Sequence, residues 1–401
     1  MAVSSERCAD TVAELVRIPS VNPLHRGPIA DAAGPIGEAA IAHHLADRFR
    51  DLGADEVVLD EVADDISDDT GVERPNVYGR FVGRTDRLVV LDVHTDTVTV
   101  EHMTDPPFDG RIADGRVWGR GALDTKASLG VMLALLEQWR ADAVEPEPTL
   151  LVVGSVSEEA GGLLGAARLR QWIGERSLEI DQLLVAEPTR LAPIHGHKGG
   201  VAIEVTVHGT AAHSALPDLG ANAIEAMAHV ITAYEAEHRR LQTVPPETEL
   251  GTSTVSVTTI DGGTGGNVIP AECRITVGQR IVPGQVANEV HERLIRIAHE
   301  SSPLPVTCRS LLPPQPDGTH GSDAFYQPPT GDLVRVLAES AGTSPTVAPF
   351  GTNALRYGGL ARELVVFGPG RIDDAHQATE CVAIDDLTRL AACYEAWLRP
   401  T

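Results

Sequence analysis

Four short apolar runs set the frame of this chain: residues 88–93, 150–156, 183–186 and 363–370, the last reading "ELVVFGPG". Each is short and rich in Val, Leu or both, so each reads as a strand. Their apolar character is continuous rather than alternating. That means burial on both faces, the mark of a largely parallel sheet between helices. Amphipathic residues 36–52 before these runs and a helical stretch at 127–139 between the first two give the alternation of an α/β domain.

From Val201 the pattern changes. "VAIEVTVHG" and "STVSVTTIDGG" alternate with period two, "AECRITVGQRIV" less strictly, and helical stretches fall at 221–238 and 285–297. Strand, helix, strands, helix and a further strand near Pro305 is the order of a small α+β (ferredoxin-like) sandwich. The apolar style of the first half returns at 363–370. The simplest organisation is therefore a smaller domain, 199–316, inserted into a larger one built from 1–198 and 317–401, with the Pro/Gly-rich loop 313–329 as return linker. A length of 401 residues suffices for two cores.

A formal net charge of -25 argues against nucleic acid or an anionic membrane as partner, since both are polyanions. No apolar run approaches the roughly 18–20 residues of a membrane span. The opening "MAVSSERCADTVAELV" lacks the charged, apolar, then small-residue order of a secretory signal, and the expected location is cytoplasmic. Cys8, Cys273, Cys308, Cys381 and Cys393 include no close pair and read as reduced, packed thiols.

Chemistry-bearing residues gather where the strands end. There is no GxSxG elbow, no phosphate loop and no HExxH helix. Instead "VHTDTV" places His94 and Asp96 two apart, on one side of a strand end if the strand continues, as a metal ligand and its support or as a polar loop. "GRGALDTK" sets Asp124 in a Gly-rich turn, "SVSEEAGG" supplies Glu158 and Glu159, "VAEPT" supplies Glu187, and "GPGRIDDAHQATE" supplies His376 and Glu380. Singly, each has a plain structural account: an N-cap for Asp124, a solvated face for the glutamates. Together they suit a crevice beyond the carboxyl ends of parallel strands. Imidazole and carboxylate without thiolate are the donors of a hydrolytic zinc site, and a pair of metals needs a shared carboxylate, for which Asp124 is the best placed. The adjacent glutamates can divide two tasks, one holding metal and the other taking a proton from its water.

In order, "LVRIPSVNP", "HTDTV", "DPPFDGRIADGRVWGRGALDTK", "EEAGG", "AEPT", "GTAAHSALP", "GGTGGNVIPAECRI" and "FGPG…AHQATE" make the chain resemble a di-zinc amidohydrolase and metallopeptidase family. That family contains acetylornithine deacetylase, succinyl-diaminopimelate desuccinylase, aminoacylase and glutamate carboxypeptidase. The resemblance implies a zinc-dependent exopeptidase-like catalytic domain with an inserted dimerisation or lid domain. It implies Asp124 as bridging ligand, His94 and Glu187 on one metal, Glu159 and His376 on the other, Glu158 as general base and Asp96 as support of His94. It further implies a cis Asp124–Thr125 peptide and a homodimer in which His213 polarises the substrate carbonyl of the other subunit. Asn267, Arg280 and the "GTNA" stretch with Gly351, Thr352 and Asn353 would contact substrate. Ser157, Ala127 and Asn353 depart from the usual pattern and leave the subfamily open. The expected cofactors are two divalent ions, zinc first and cobalt or manganese as alternatives. The expected reaction is hydrolysis of an N-acyl amino acid. A dipeptidase or carboxypeptidase using the same site, and a binding homologue without catalysis, are the alternatives.

Overall fold

The structure, a computed structural model, describes residues 3–25, 36–62, 72–160, 162–312, 314–315 and 318–399. Residues 161, 313, 316 and 317, which belong to the expected "EEAGG" motif and return linker, lie outside them. The chain divides into two compact units, one of Met1–His195, Gln327–Thr346 and Thr352–Thr401, the other of Gly196–Tyr326 and Val347–Gly351. The second unit runs to Tyr326, beyond the expected boundary at 316, because Phe325–Tyr326 is a short strand paired with His197 and Gly196 rather than linker.

In the larger unit the sheet order is Glu56–Glu61, Pro75–Phe81, Pro148–Ser155, Thr85–His94, Ile180–Val185 and Ala361–Val366, with Ile194 paired beside the last. The middle four strands are parallel. Glu56–Glu61 and Pro75–Phe81 run antiparallel at one side, and Ile194 pairs antiparallel with Val366 at the other, so the sheet is mixed. The parallel strands match the four apolar runs. Glu56–Glu61, half-buried along most of its length, has no such run to announce it.

Helices cover both faces. On Pro75–Phe81, Val77 and Phe81 join the core cluster that holds Phe49 of helix Ala39–Leu52, while Tyr78 points the other way onto Trp172 of Leu164–Glu175, ring centroids 4.6 Å apart. Helix Lys126–Ala141 is buried on nearly every side, including Leu129, Val131, Met132 and Leu133. Gly130 lets helix Ser5–Val16 approach it closely, since a Cβ there would lie 2.7 Å from Val12 Cγ2 and 2.9 Å from its Cα.

The smaller unit is a four-stranded antiparallel sheet in the order Thr254–Gly262, Glu272–Ile281, Gly199–His208, Val306–Ser310. Numbered along the chain this is 2-3-1-4, with helices Ala223–Gln242 and Ala287–Ser301 as its connections, which is the ferredoxin-like arrangement. Period-two burial is plain on Glu272–Ile281, where Cys273, Ile275, Val277 and Ile281 face the core shared with Met227, Val230 and Leu294.

Candidate metal centre

Four parallel strands end at one edge of the larger sheet, and the loops that follow them bring the candidate ligands together. His94 closes Thr85–His94, Glu158 and Glu159 sit in the turn after Pro148–Ser155, and Glu187 stands two residues beyond Ile180–Val185. His376 follows Ala361–Val366 through a loop and takes φ 63°. Asp124 lies in the turn before Lys126–Ala141, and its peptide bond to Thr125 is cis.

Their donor atoms form two groups, His94–Asp124–Glu187 and Asp124–Glu159–His376, each with all its atoms within 4.8 Å of one another. The Asp124 carboxylate faces both: Oδ1 is 3.1 Å from His94 Nε2, and Oδ2 is 3.1 Å from His376 Nε2. His376 Nε2 is also 3.0 Å from Glu159 Oε1.

Charge in this cluster is unbalanced. Asp96, Asp124, Glu158, Glu159 and Glu187 surround two imidazoles. Glu158 is pushed up to about 8, first by burial and then, against the pull of His94, by the neighbouring Glu159, Asp96 and Asp124. Burial and nearby carboxylates also hold Glu187 and Glu159 above the ordinary carboxylate range. Asp124 goes the other way: burial opposes its ionisation, but hydrogen bonds from His376 and His94 overcome that and keep it low. The bonds of His376 to Asp124 and then Glu159 push it up to about 10, against the effect of burial. His94 is raised too, Asp124 and Asp96 outweighing the opposing effect of burial. Glu187 Oε1 is buried with no hydrogen-bond partner. A surplus of buried oxygen donors, an orphaned carboxylate oxygen and two donor groups sharing one carboxylate fit a pair of divalent cations.

Around the donors runs a supporting network. His94 Nδ1 is 3.0 Å from the Asp96 carbonyl oxygen and 3.6 Å from its carboxylate. The strand proper stops at His94, although the Thr95 N–H still donates to the Ser155 carbonyl at 2.8 Å. The Asp96 carboxylate accepts the backbone N–H of Glu158 at 3.1 Å and of Glu159 at 3.0 Å, and the Asn22 amide at 2.7 Å. Ser157, at φ 66°, donates its hydroxyl to the Ala160 carbonyl and its N–H to Glu38, which is itself paired with buried Arg74. These supports escape a sequence reading: Asn22 lies in a motif with no assigned role, and Glu38 and Arg74 are joined only by the fold.

The profile of peptidase family M20/M25/M40 matches residues 90–399. The chain belongs to this family. It is accordingly a hydrolase. It is 34% identical over 333 residues to acetylornithine deacetylase of Myxococcus xanthus, covering 81% of this chain and 83% of that protein. A tripeptidase from Staphylococcus aureus has the same fold, with a TM-score of 0.74 at 20% identity over 100% of this chain and 99% of that one. So does an M20 metallo-carboxypeptidase from Sulfolobus solfataricus, with a TM-score of 0.74 at 18% identity over 98% of each chain. No helix among the described residues is long and apolar enough to cross a membrane.

The remaining expected residues of this M20 chain fall in separate places. Within the smaller unit, exposed His213 pairs across two short strands with Val268, and the Ser214 N–H donates to the Asn267 carbonyl, so His213 and Asn267 are neighbours. Arg280 is exposed on Glu272–Ile281, its carbonyl accepting from Ser253 Oγ. Gly351 closes that unit's last segment. In the larger unit, Thr352 caps the short helix Asn353–Arg356 by accepting the Ala354 N–H. Asn353 is 1% exposed, and its Nδ2 donates to Asp92 Oδ2 and Ser155 Oγ, both at 3.0 Å. Tyr357 completes that network with a 2.7 Å bond to Asp92.

Proposed function

We propose that this chain hydrolyses the amide bond of an N-acyl amino acid at a two-metal centre in which Asp124 is the shared ligand, His94 and Glu187 complete one site, and Glu159 and His376 complete the other. The observation that carries the reading is the two-sided contact of the Asp124 carboxylate with both imidazoles. Two divalent ions, zinc by preference and cobalt or manganese with the same donors, would supply the Lewis acidity that activates water and polarises the scissile carbonyl. Glu158, beside the ligands and not needed as one, takes the proton of the attacking water and returns it to the leaving amine. Asp96 aims the machinery by holding His94 and the amides of Glu158 and Glu159.

The 34% likeness to an acetylornithine deacetylase supports deacylation over peptide cleavage. The peptidases of the same fold are too distant in sequence to speak to the substrate. His213, Asn267 and Arg280, with the backbone of Gly351 and Thr352, would recognise the substrate. His213 would act across a homodimer, a reading supported by exposed Leu216, Leu219, Ile224 and Ile260 in its unit. The test is a side-by-side assay of zinc-loaded protein on N-acetylornithine, other N-acetyl and N-succinyl amino acids, and a dipeptide panel. Turnover of acyl amino acids is expected, and cleavage confined to dipeptides rejects the deacylase reading in favour of a peptidase.

A further inference from the structure

Glu380 is a buried carboxylate that the reaction above leaves without a task. It is 1% exposed, and Arg120, 2% exposed, faces its Oε2 through Nη1. Its other oxygen, Oε1, accepts the backbone N–H groups of Leu123 at 3.1 Å and Asp124 at 3.3 Å. Arg120 in turn directs Nη2 at the His376 carbonyl, 3.5 Å away, and Nε at the Thr99 carbonyl at 3.2 Å. The arrangement is reciprocal. Arg120 precedes Asp124 on one segment and Glu380 follows His376 on another, yet each residue holds the ligand carried by the other's segment. The two segments are also joined by Gly119 N–H to the Glu380 carbonyl and by pairing of Cys381–Ala383 with Arg116–Trp118.

We propose that the Arg120–Glu380 pair is a positioning clamp for the ligand group Asp124–Glu159–His376, setting the direction of Asp124 and His376 from their backbones. The proposal rests on the two-metal reading. His94 and Glu187 sit on or just beyond strands, where the sheet orients them, and Thr125 Oγ1 additionally donates to the His94 carbonyl. His376 has no strand beneath it; its side chain is 47% exposed and its backbone lies at φ 63°, so its aim depends on how the loop is tied. A buried ion pair contributes little net stability against a well-packed apolar alternative, but it fixes geometry. Glutamine at 380 cannot serve both sides: its single carbonyl can face the arginine or the backbone amides, and its NH2 opposes donors at the other.

The experiment is calorimetric titration of zinc into chelator-stripped wild type, Glu380→Gln, Arg120→Lys and Glu237→Gln, with kcat and KM measured at limiting and excess zinc. Wild type is expected to bind two ions. In Glu380→Gln one ion binds about ten- to a hundredfold more weakly and the other changes less than threefold. kcat falls at limiting zinc and recovers with excess zinc, and KM stays within about twofold. Arg120→Lys keeps the charge but cannot reach Thr99, Glu380 and His376 at once, so it repeats the pattern and serves if Glu380→Gln does not fold. Glu237→Gln removes another buried, arginine-paired carboxylate, in the smaller unit, and keeps both wild-type affinities. Two wild-type ions with unchanged affinities in Glu380→Gln and Arg120→Lys, or equal weakening of both ions, overturns the clamp alone. A wild-type stoichiometry below two overturns the two-metal reading with it.

Discussion

The two proposed ligand groups share Asp124 and differ in almost everything else. His94, Asp124 and Glu187 are all buried, and two of the three sit on or immediately beyond strands of the parallel sheet. Glu159 and His376 come from a turn and a loop, and the His376 side chain is half exposed. One group is built by the sheet, the other by tethers laid over its end. A strand end resists distortion because moving it breaks ladder hydrogen bonds on both sides, whereas a loop moves at the cost of a few local bonds. The first group should therefore be the tighter and slower to exchange, and the second the more adjustable.

The comparison breaks first at the shared residue. Asp124→Ala should abolish binding of both ions and lower kcat/KM by about 10^4 or more, as read by metal analysis and turnover together; loss of only one ion would mean that Asp124 does not bridge. Glu158→Gln should lower kcat by about 10^3 with both ions retained, since it removes the base and no ligand. Activity equal to wild type would remove Glu158 from the mechanism. Next in size, chelator dialysis should release the ions in two phases, and His376→Ala should delete the faster phase while His94→Ala deletes the slower. A single phase in wild type would erase the distinction between the groups. Asn22→Ala, which removes one of two donors from Asp96 Oδ2 and one of two from the Ala160 carbonyl, should cost about tenfold in kcat with metal content unchanged.

The smallest effect concerns a carboxylate whose charge is fully met. Burial opposes the ionisation of Glu237, but Arg240 and Arg293 outweigh it and hold its pKa below the usual value. A depressed folded-state pKa stabilises above the unfolded value near 4.3 and loses that contribution as pH falls through the folded value. Glu237→Gln should lower the Tm by about 2–4 °C at pH 7, with the gap to wild type closing below about pH 4 in thermal scans of metal-free protein. A gap that widens on acidification would contradict the sign.

Strand ends and the residues just past them are legible in the sequence because a buried parallel strand must be continuously apolar, so the first His or Glu after it marks the edge of the sheet. That reasoning reaches His94, Glu158, Glu159 and Glu187. It reaches Glu56–Glu61 and Pro75–Phe81 poorly, since these strands, the first at the sheet edge and the second paired antiparallel on both sides, carry Asp, Glu, Asn and Arg among their apolar residues. Asp96 shows what spacing leaves out: it lies two residues from His94 and beside its imidazole, but its carboxylate also holds the amides of Glu158 and Glu159, 62 and 63 residues further on. Asn353 shows a second limit, because the partners of a buried amide, here Asp92 and Ser155, lie 261 and 198 residues away. Pairings over such distances are made by topology, and no local pattern announces them.

Ala361–Val366 lies in the sheet between Ile180–Val185 and Ile194–His197, two strands that leave the ribosome far earlier. During synthesis the older strands must wait with an unfilled place between them until the whole inserted unit has been made and the chain returns. Only then do Arg120 and Asp124 meet Glu380 and His376. The returning segment thus acts as a keystone: without it the chain would have the first proposed ligands in hand, His94, Asp124 and Glu187, but no second site.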